Sequence, residues 1–466
     1  MGAYRSIHTQ NQCYHMSMLS ADVFWTFSLH ASPQGERITR ILAAAINAVD
    51  PDSALKRVVV RNGESLTISD RSYNFRSFRR VVMLGMGKAS AAMGSCLAGI
   101  LGRDLDSGLI ITKHAPDIHI PAVTIMEGGH PIPDMSSLEA GIKTEELVSS
   151  LGRDDLLICL ISGGGSALVT RPVEGISLGD IQSLTSDLLT CGASINEINT
   201  LRRRLDIIKG GGIVKMSNQA TIASLILSDV IGNQLEVIAS GPTAPDPTTG
   251  TEARSILEKY KLENQVPGNI LNHFKTCPDN PKPGDSMFEK VQNVIIGSNL
   301  QAAQAALRQA GAEGFSPYLL RTDLDVEARD AAFKLATFLR QTRITGSPAP
   351  PPACIICGGE TTVTVKGTGT GGRNTELALA SVGELADFPG VMLITLSTDG
   401  EDGATNAAGA VVTGETFKRA ARKGLQPWNF LERNDSYTFF SQLDDLLLTG
   451  TTGTNVNDLV FLFTLD

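Results

Sequence analysis

Two glycine-rich loops contain the residue types that bind anions. The first consists of Ser162, Gly163, Gly164, Gly165 and Ser166, directly after the apolar run 155–161. The second covers residues 369–374, contains Arg373 and leads into a helical pattern. Where a strand gives way to glycines and then to a helix, backbone N–H groups and the positive end of the helix dipole point at one place. Each loop therefore predicts a site for phosphate or carboxylate, and the pair predicts an enzyme that handles two anions.

Reactive side chains stand at other predicted strand ends in the first half of the chain. Lys88 follows the run 81–87 and precedes a helix, where a lysine is electrostatically unfavourable unless an anion meets it. We therefore favour a contact with substrate or phosphate over a solvated surface lysine. Asp229 follows the run 220–227, and we favour a general base or a metal ligand over a helix cap. His130 either orients a substrate or holds its own loop by hydrogen bonds.

The second half adds polar residues beside glycines at Glu360, Asp399 and Asn455. Glu360 and Asp399 are candidate ligands for Mg²⁺, which takes one or two carboxylates and keeps several waters. Arg373 is permanently charged, and its planar guanidinium can bind phosphate through two parallel hydrogen bonds. Cations for the phosphoryl group, carboxylates for a metal and a base for the attacking hydroxyl together make up the set that phosphoryl transfer requires.

Other motifs argue against competing chemistries. Gly85 and Gly87 begin a dinucleotide-binding fingerprint, but Ser90 occupies the place of the third glycine. No GxxxxGK[ST] loop occurs, and the first glycine loop lacks the GxSxG order of a hydrolase nucleophile. Cys354 and Cys357 lie in an apolar run, which favours a buried structural role over metal or redox chemistry.

The composition is that of a globular protein with more than one hydrophobic core. The chain has 466 residues and a formal net charge of −9, so nucleic-acid binding is not expected. The basic run 202–204 is expected on the solvated face of a helix, and Asp402 and Asp435 are expected to have loop roles. No apolar run reaches the roughly 18 residues of a membrane span.

Alternating strand and helix patterns predict an α/β fold with two α/β domains, mostly parallel sheets flanked by helices, and an active-site cleft between the domains. We expect an irregular extension over 1–35, an N-terminal domain over 36–285 and a C-terminal domain over 286–466. Strands are predicted in a hairpin within 56–68 and at 80–84, 108–112, 123–126, 155–161, 220–227, 291–296, 317–320, 354–357, 361–365, 391–396 and 459–465. Helices are predicted at 36–49, 88–101, 136–150 with Ser136 or Ser137 as its cap, 194–209 with glycines 210–212 ending it, 300–309 and 326–340.

Taken together, the ordered motifs resemble those of the glycerate 2-kinase family, in which a Rossmann-like domain precedes a C-terminal MOFRL domain. The similarity covers residues 36–466, with the MOFRL region at about 350–466, and the animal-type glycerate kinases look most similar. The matching motifs are LGMGKA at 84–89, GGHPIPD at 128–134, ISGGGSAL at 161–168, IKGGG at 208–212, LSDVIG at 227–232, IASGPT at 238–243, GGRNTELA at 371–378, TDGEDG at 398–403 and GTNVND at 453–458.

The resemblance implies ATP-dependent phosphorylation of D-glycerate to 2-phosphoglycerate with Mg²⁺. Two positions depart from the family pattern. Asn233 stands where an acid is usual, and Arg204 replaces a common histidine. Neither is among the positions onto which the family's active-site residues map, which are Lys88, Asp229, Glu360, Arg373, Asp399 and Asn455.

The resemblance also suggests a division of roles. Asp229 accepts the proton of the glycerate hydroxyl, while Lys88 and Arg373 face one shared pocket and balance the charge of carboxylate and phosphates. The residues expected to contact substrate, phosphate or metal are the first glycine loop, His130, Asn455, Glu360 and Asp399, the last two as candidate metal ligands.

Two other functions remain as alternatives. An NAD(P)H-dependent hydroxypyruvate reductase needs a nicotinamide site, of which the Gly85 loop supplies only half. A non-catalytic sugar-acid-binding protein would need no base for phosphoryl transfer. The N-terminal segment has Arg5, His8 and His15 with no acid before Asp22, and we prefer a dispensable tail in a cytoplasmic protein to a mitochondrial transit peptide. The oligomeric state, monomer or homodimer, stays open.

Overall fold

The computed structural model describes residues 18–116, 118–263 and 265–466. The strands are β1 (Val59–Asn62), β2 (Ser65–Ile68), β3 (Arg71–Asn74), β4 (Arg80–Met86), β5 (Ser107–Thr112), β6 (Val123–Glu127), β7 (Asp155–Ile161), β8 (Thr221–Leu227), β9 (Val291–Gly297), β10 (Ser316–Leu324), β11 (Ala353–Gly359), β12 (Val391–Ser397), β13 (Gly409–Thr413), β14 (Leu446–Leu447) and β15 (Asp458–Thr464).

The helices are α1 (Phe27–Ala31), α2 (Gly35–Asn47), α3 (Pro51–Val58), α4 (Ser90–Leu101), α5 (Met135–Ser149), α6 (Gly165–Leu168), α7 (Leu178–Thr190), α8 (Ile195–Leu205), α9 (Gly212–Met216), α10 (Gly250–Lys259), α11 (Gly268–Thr276), α12 (Asn299–Ala312), α13 (Ala328–Thr345), α14 (Arg373–Glu384), α15 (Thr416–Arg422), α16 (Pro427–Glu432) and α17 (Ser436–Leu443). Within the described ranges, none of these helices combines the length and apolarity that crossing a membrane demands.

The first large sheet is parallel throughout, in the order β6-β5-β4-β7-β8-β9. Helices α3 and α4 contribute to the core on one side of it, and α5 and α9 contribute to the core on the other. Because both faces are covered, β7 is buried at every residue, as its uninterrupted apolar sequence predicts. The carboxyl ends of these strands carry the first glycine loop and Asp229, and the α/β prediction is confirmed.

The second large sheet is mixed, in the order β10-β11-β15-β12-β13-β14. Of its strand pairs only β10 with β11 is parallel, so the expectation of a mostly parallel sheet is wrong here. The last strand of the chain, β15, returns between β11 and β12 and runs antiparallel to both. This pairing joins segments far apart in sequence, and the local apolar pattern of β15 does not encode its direction.

The chain does not divide at the limits expected from the sequence. The strand β9 pairs with β8, so the first sheet continues past residue 285. Residues 21–31 form a 3₁₀ turn and α1 rather than an irregular extension, and they pack with α2 against the second sheet. Phe24 and Leu29 are fully buried there beside Phe461 and Phe463, and hydrophobic burial accounts for the order of this segment. Arg5, His8 and His15 lie outside the described residues.

Three local expectations also need correction. The helix predicted over 194–209 ends at Leu205, because Asp206 turns out of it and accepts hydrogen bonds from backbone N–H groups of Arg171 and Ile208. Residues 361–365 form a loop rather than a strand and make only an isolated bridge to Glu327. The cap of α5 is Asp134, whose carboxylate accepts from the N–H groups of the two serines that were expected to cap it.

The basic run 202–204 is not a solvated face. Arg203 and Arg204 are each only 3 % exposed. Arg203 lies 3.0 Å from the buried carboxylate of Asp246, and Arg204 lies 3.0 Å from Asp279 and donates to a backbone carbonyl. Partners more than forty positions away in the sequence neutralise these charges, which no local pattern reveals.

Asp155 anchors the start of β7 and offers a direct test of this packing. Its carboxylate is buried and accepts from Arg79, Arg80 and the N–H of Gly152, and although burial alone would raise its pKa, these partners hold the pKa well below the usual value. We expect Asp155→Asn to lower the free energy of unfolding by about 2 kcal/mol at neutral pH. Because the folded pKa lies below the unfolded one, the difference should shrink as the pH falls below about 4.

Urea denaturation at pH 7 and pH 3 measures both effects. The exposed neighbour variant Asp154→Asn serves as the control and should unfold like the wild type. Equal stability of Asp155→Asn and wild type at pH 7 would contradict this assignment.

Candidate active site

Two cavities lie where the loops of the two sheets meet. The larger has a volume of about 900 Å³ and is lined by Asp229 from the end of β8 and by Glu360 and Arg373 from the second half of the chain. The smaller has a volume of about 330 Å³ and is lined by Lys88 and by residues of the 399–401 and 451–455 loops. Both therefore open between segments that belong to different sheets, as the expected interdomain cleft requires.

The first glycine loop packs tightly against the loop that carries Lys88. The backbone N–H of Lys88 donates to Gly163 O over 2.9 Å, and the Ser162 hydroxyl accepts from the Ala89 N–H over 3.0 Å. The Ser166 hydroxyl is bonded to Ser240. Both predicted serine hydroxyls are thus engaged within the protein, and the groups left to meet an anion are the N–H groups of Gly163 and Gly164, which have no acceptor among the described residues.

Asp229 lies directly against this loop. A Cβ on Gly163 would stand 2.2 Å from Asp229 Oδ2, so only glycine lets the carboxylate come this close. Burial raises the pKa of Asp229, and the Lys88 ammonium partly opposes the shift. From the opposite side of the cleft, the Asn457 side-chain amide donates to the backbone carbonyl of Asp229 over 2.8 Å. The arrangement holds a carboxylate with an elevated proton affinity beside a cation.

His130 is neutral near physiological pH. Its ring packs against Gly164, whose Cβ position would be 3.0 Å from the imidazole. Burial, together with the positive charges of Lys88 and Lys113, lowers the pKa of His130 to about 4. The side chain can therefore exchange hydrogen bonds with a ligand but adds no positive charge to the site.

Arg373 is fixed by two carboxylates. Its guanidinium donates to Glu360 over 2.8 Å and binds Asp458 through two nitrogens. Burial lowers the pKa of Arg373, but Asp458 and Glu360 more than offset this, and the pKa lies above its ordinary value. Burial raises the pKa of Glu360, and Asp458, Asp229 and Asp325 raise it further against the effect of Arg373. Asp458 was missed in the sequence, although it ends the GTNVND motif.

The second glycine loop does not offer a free helix terminus. Asp402 already places its carboxylate at the start of α14, where it accepts from the N–H groups of Asn374 and Thr375 over 2.9 and 2.8 Å and from the Thr375 hydroxyl. A protein carboxylate therefore takes the place expected for a ligand anion at these two N–H groups, while an anion contact of Arg373 and the rest of the loop, which lines the larger cavity, stays a prediction. The loop role expected for Asp402 is confirmed, and Asp435 likewise accepts from the N–H of Thr370.

Lys88 and Arg373 line two adjacent cavities rather than one shared pocket. Asp229 lies between them, since it lines the larger cavity and touches Gly163, which lines the smaller. Asp399 and Asn455 also line the smaller cavity, and Asp399 accepts from Ser397 and from the N–H of Glu401. The structure thus groups Arg373, Glu360 and Asp229 on one side, and Lys88, Asp399 and Asn455 on the other.

The donor set of the larger cavity fits Mg²⁺ together with an anionic ligand. Its lining includes the carboxylates of Asp229, Asp325 and Glu360 against the single guanidinium of Arg373, so the site carries an excess of negative charge. A polyanion entering such a site needs a cation to accompany it, and carboxylate oxygens are the ligands that Mg²⁺ prefers. Within the described ranges no three His, Cys, Asp or Glu side chains form a preassembled metal cluster.

Comparison with known proteins gives matches along nearly the whole chain. Residues 37–275 match a domain of unknown function, DUF4147, and residues 353–458 match the MOFRL family. A D-glycerate 2-kinase of Thermotoga maritima is 39% identical over 90% of this chain and 96% of its own length. A glycerate kinase of Homo sapiens is 35% identical over 92% of each chain.

The fold matches as well. The crystal structure of a glycerate kinase from Thermotoga maritima superposes with a TM-score of 0.82 at 38% identity, covering 91% of this chain and 98% of that one. The likeness therefore extends over both sheets and the cleft between them.

The capping of α14 by the Asp402 carboxylate can be tested by unfolding experiments. We expect Asp402→Ala to lower the free energy of unfolding by about 2 kcal/mol, since it removes a buried cap from two N–H groups and a hydroxyl. Thermal unfolding followed by circular dichroism measures the loss. Added phosphate should restore part of the stability of Asp402→Ala, because it can take the place of the missing carboxylate.

The exposed Glu432→Ala variant, outside both cavities, is the matched control and should behave as wild type in both buffers. An Asp402→Ala protein as stable as wild type would show that the cap contributes nothing.

Proposed function

The chain belongs to the glycerate 2-kinase family, and we propose that it transfers the γ-phosphoryl group of ATP to the 2-hydroxyl of D-glycerate, giving 2-phosphoglycerate and ADP. The observation that carries this proposal is the position of Asp229, a carboxylate of raised pKa between Lys88 on one side and the Glu360–Arg373 pair on the other. Base, cations and carboxylates are the groups that phosphoryl transfer uses, and they meet here from both halves of the chain.

Asp229 is the proposed general base. The glycerate hydroxyl oxygen forms a bond to the γ-phosphorus, the bond from that phosphorus to the β–γ bridging oxygen breaks, and the hydroxyl proton passes to the Asp229 carboxylate. Burial raises the proton affinity of this carboxylate, which improves it as an acceptor, and the Lys88 charge partly opposes that shift. The contact with Gly163 and the hydrogen bond from Asn457 fix its position.

The charged side chains divide between acid and phosphates in this proposal. Lys88 and the free N–H groups of Gly163 and Gly164 act beside the smaller cavity, which suits a three-carbon acid. Arg373 acts on the phosphate side, where Asp458 and Glu360 hold its guanidinium in one orientation. Such preorganised charge stabilises the transferring group without reorganisation during the reaction.

Mg²⁺ would be held on the phosphate side by Glu360, with Asp325 on the same cavity wall. When bound, the ion neutralises charge on the β- and γ-phosphates. Asp399 lines the smaller cavity, so as a metal ligand it would act from the glycerate side. We place the enzyme in the cytoplasm, a reducing compartment with which the free cysteines among the described residues agree.

Product analysis with ATP and D-glycerate tests the proposed function. We expect ADP and 2-phosphoglycerate in equal amounts, using a separation that distinguishes 2- from 3-phosphoglycerate. An assay with hydroxypyruvate and NADH is the counter-test, and robust hydride transfer without kinase activity would overturn the proposal in favour of the reductase.

Asp229→Asn should lower kcat by about 10²- to 10⁴-fold, because the amide cannot accept the hydroxyl proton. Substrate binding should be largely retained, since the amide keeps the size of the carboxylate. A coupled ADP assay gives kcat and calorimetry gives the dissociation constant of D-glycerate. The wild-type kcat should also fall as the pH is lowered through the raised pKa of Asp229, because the protonated carboxyl is no base.

The matched control is Asp323→Asn, which alters an exposed aspartate outside both cavities. Normal turnover of Asp229→Asn, or loss of glycerate binding with turnover intact, would refute the role given to Asp229.

Arg373→Lys should lower kcat/KM by about 100-fold although the charge is kept. A lysine cannot form the paired hydrogen bonds with Asp458 and a phosphoryl group at once, because its ammonium lacks the planar fork. Steady-state kinetics with ATP and D-glycerate measure the loss, and the exposed Arg321→Lys is the control. Kinetics unchanged in Arg373→Lys would mean that charge alone matters at this position.

A further inference from the structure

The larger cavity has an apolar part that the phosphoryl-transfer chemistry does not use. Six aliphatic side chains line it: Ile195, Val230, Ile231 and Val237 from the loops of the first sheet, and Val363 and Val365 from the loop after β11. Two of them are unusually exposed for large apolar residues, with Ile195 at 59% and Val365 at 71%. Exposed aliphatic side chains that line a cavity indicate a surface that a ligand covers.

These two residues come from opposite sides of the cleft. Ile195 is the first residue of α8, whose later residues pack in a core formed with α7, α10 and α11. Val365 belongs to the loop 360–372, which Glu327 and Asn434 hold by hydrogen bonds to the backbone N–H groups of its neighbours Thr364, Lys366 and Gly367. Both side chains therefore project from anchored segments into the same space.

The polar part of the same cavity identifies what could fill it. Arg373, Glu360 and Asp229 line it together with the aliphatic side chains, and the cavity volume of about 900 Å³ is near the upper end of the range for small-molecule sites. A ligand that combines an apolar planar group with phosphates would match both parts. The smaller cavity, of about 330 Å³, has Lys88, Lys113 and His114 on its wall and only Ala89 and Leu227 as apolar residues. It suits a small acid and not a nucleoside.

We propose that the larger cavity is the nucleotide subsite, and that Ile195 and Val365 hold the nucleobase between the two sides of the cleft. The inference rests on the proposed function for the identity of the phosphate donor. Aliphatic side chains contact the base, since no aromatic side chain is among the described residues that line the cavity. The side-chain amides of Asn196 and Gln234 have no hydrogen-bond partner within the described ranges and can meet the polar edge of the base.

With the nucleotide in the larger cavity, the phosphoryl group passes by Asp229 toward glycerate in the smaller cavity. The base lies toward the exposed aliphatic residues, the phosphates lie toward Arg373 and Glu360, and glycerate lies beyond Asp229 beside Lys88. The nucleotide contacts both halves of the chain, so its affinity depends on side chains from each.

Ile195→Ala and Val365→Ala test the proposal, and both variants should fold because the side chains are exposed. Each should raise the dissociation constant of ADP about five- to tenfold, as expected when two or more buried carbon groups lose contact with a ligand. The double variant should combine the two effects. The KM for D-glycerate should stay at the wild-type value, and calorimetry with ADP and Mg²⁺ supplies the binding measurement.

Inorganic tripolyphosphate with Mg²⁺ is the second probe, because it has phosphates and no base. Its inhibition constant against ATP should be the same in the variants and in the wild type. Ile344→Ala is the matched control, since Ile344 is 72% exposed and lines neither cavity. Unchanged ADP binding in both variants, or equal weakening of ADP and tripolyphosphate, would overturn the nucleobase contact.

The two proposals fail in different ways. A wild-type protein that binds ADP but does not phosphorylate D-glycerate would end the proposed function and leave the nucleotide subsite standing. If the wild type phosphorylates D-glycerate but the Ile195→Ala and Val365→Ala variants bind ADP normally, the nucleobase contact is refuted and the proposed function is retained.

Discussion

The close contact between Asp229 and Gly163 is the constraint on which the rest of the site depends. A side chain at position 163 would stand 2.2 Å from the Asp229 carboxylate, so the glycine loop and the proposed base can meet only because the loop lacks a Cβ there. The same glycine accepts the N–H of Lys88 through its carbonyl. One residue thereby sets the distance between the cation, the carboxylate and the two free backbone N–H groups, and Asn457 ties the assembly to the second sheet.

The balance of charge explains why both halves of the chain are needed. The carboxylates of Asp229, Glu360 and Asp458 would repel one another in a half-buried cleft, and Arg373 lies among them. The arginine is therefore oriented before any phosphate arrives, at the cost of leaving a site that is negative overall. In the proposed function, Mg²⁺ held by Glu360 would offset this excess of negative charge.

Sequence patterns predicted the parts of the site that are local. The apolar sequence of β7 and the glycines after it predicted the strand and its loop. The same kind of pattern predicted the strand ends that carry Lys88 and Asp229. The parts that failed depend on distant partners. The direction of β15 and the burial of Arg203 by Asp246 join segments far apart, and no single segment signals them.

The N-terminus of α14, where the Asp402 carboxylate accepts the backbone N–H groups, is another feature that depends on a distant partner. Glycines before a helix predict an anion, and an anion is present, but it is the carboxylate of Asp402 from another loop. Sequence alone cannot distinguish a ligand from a side chain that takes its place. Asp458 ends a motif that the sequence analysis quoted, but its partner Arg373 lies 85 positions away, so the pairing becomes visible only in the structure.

The central claim is that Lys88 on the glycerate side of Asp229 and Arg373 on its phosphate side stabilise one and the same transition state. The most direct measurement is a double-mutant cycle in kcat/KM with Lys88→Met, Arg373→Lys and the double variant, using ATP and D-glycerate. We expect strong coupling, with the double variant at least about tenfold more active than the product of the two single losses predicts. Losses that simply multiply would contradict it, because they would show two cations working at independent places.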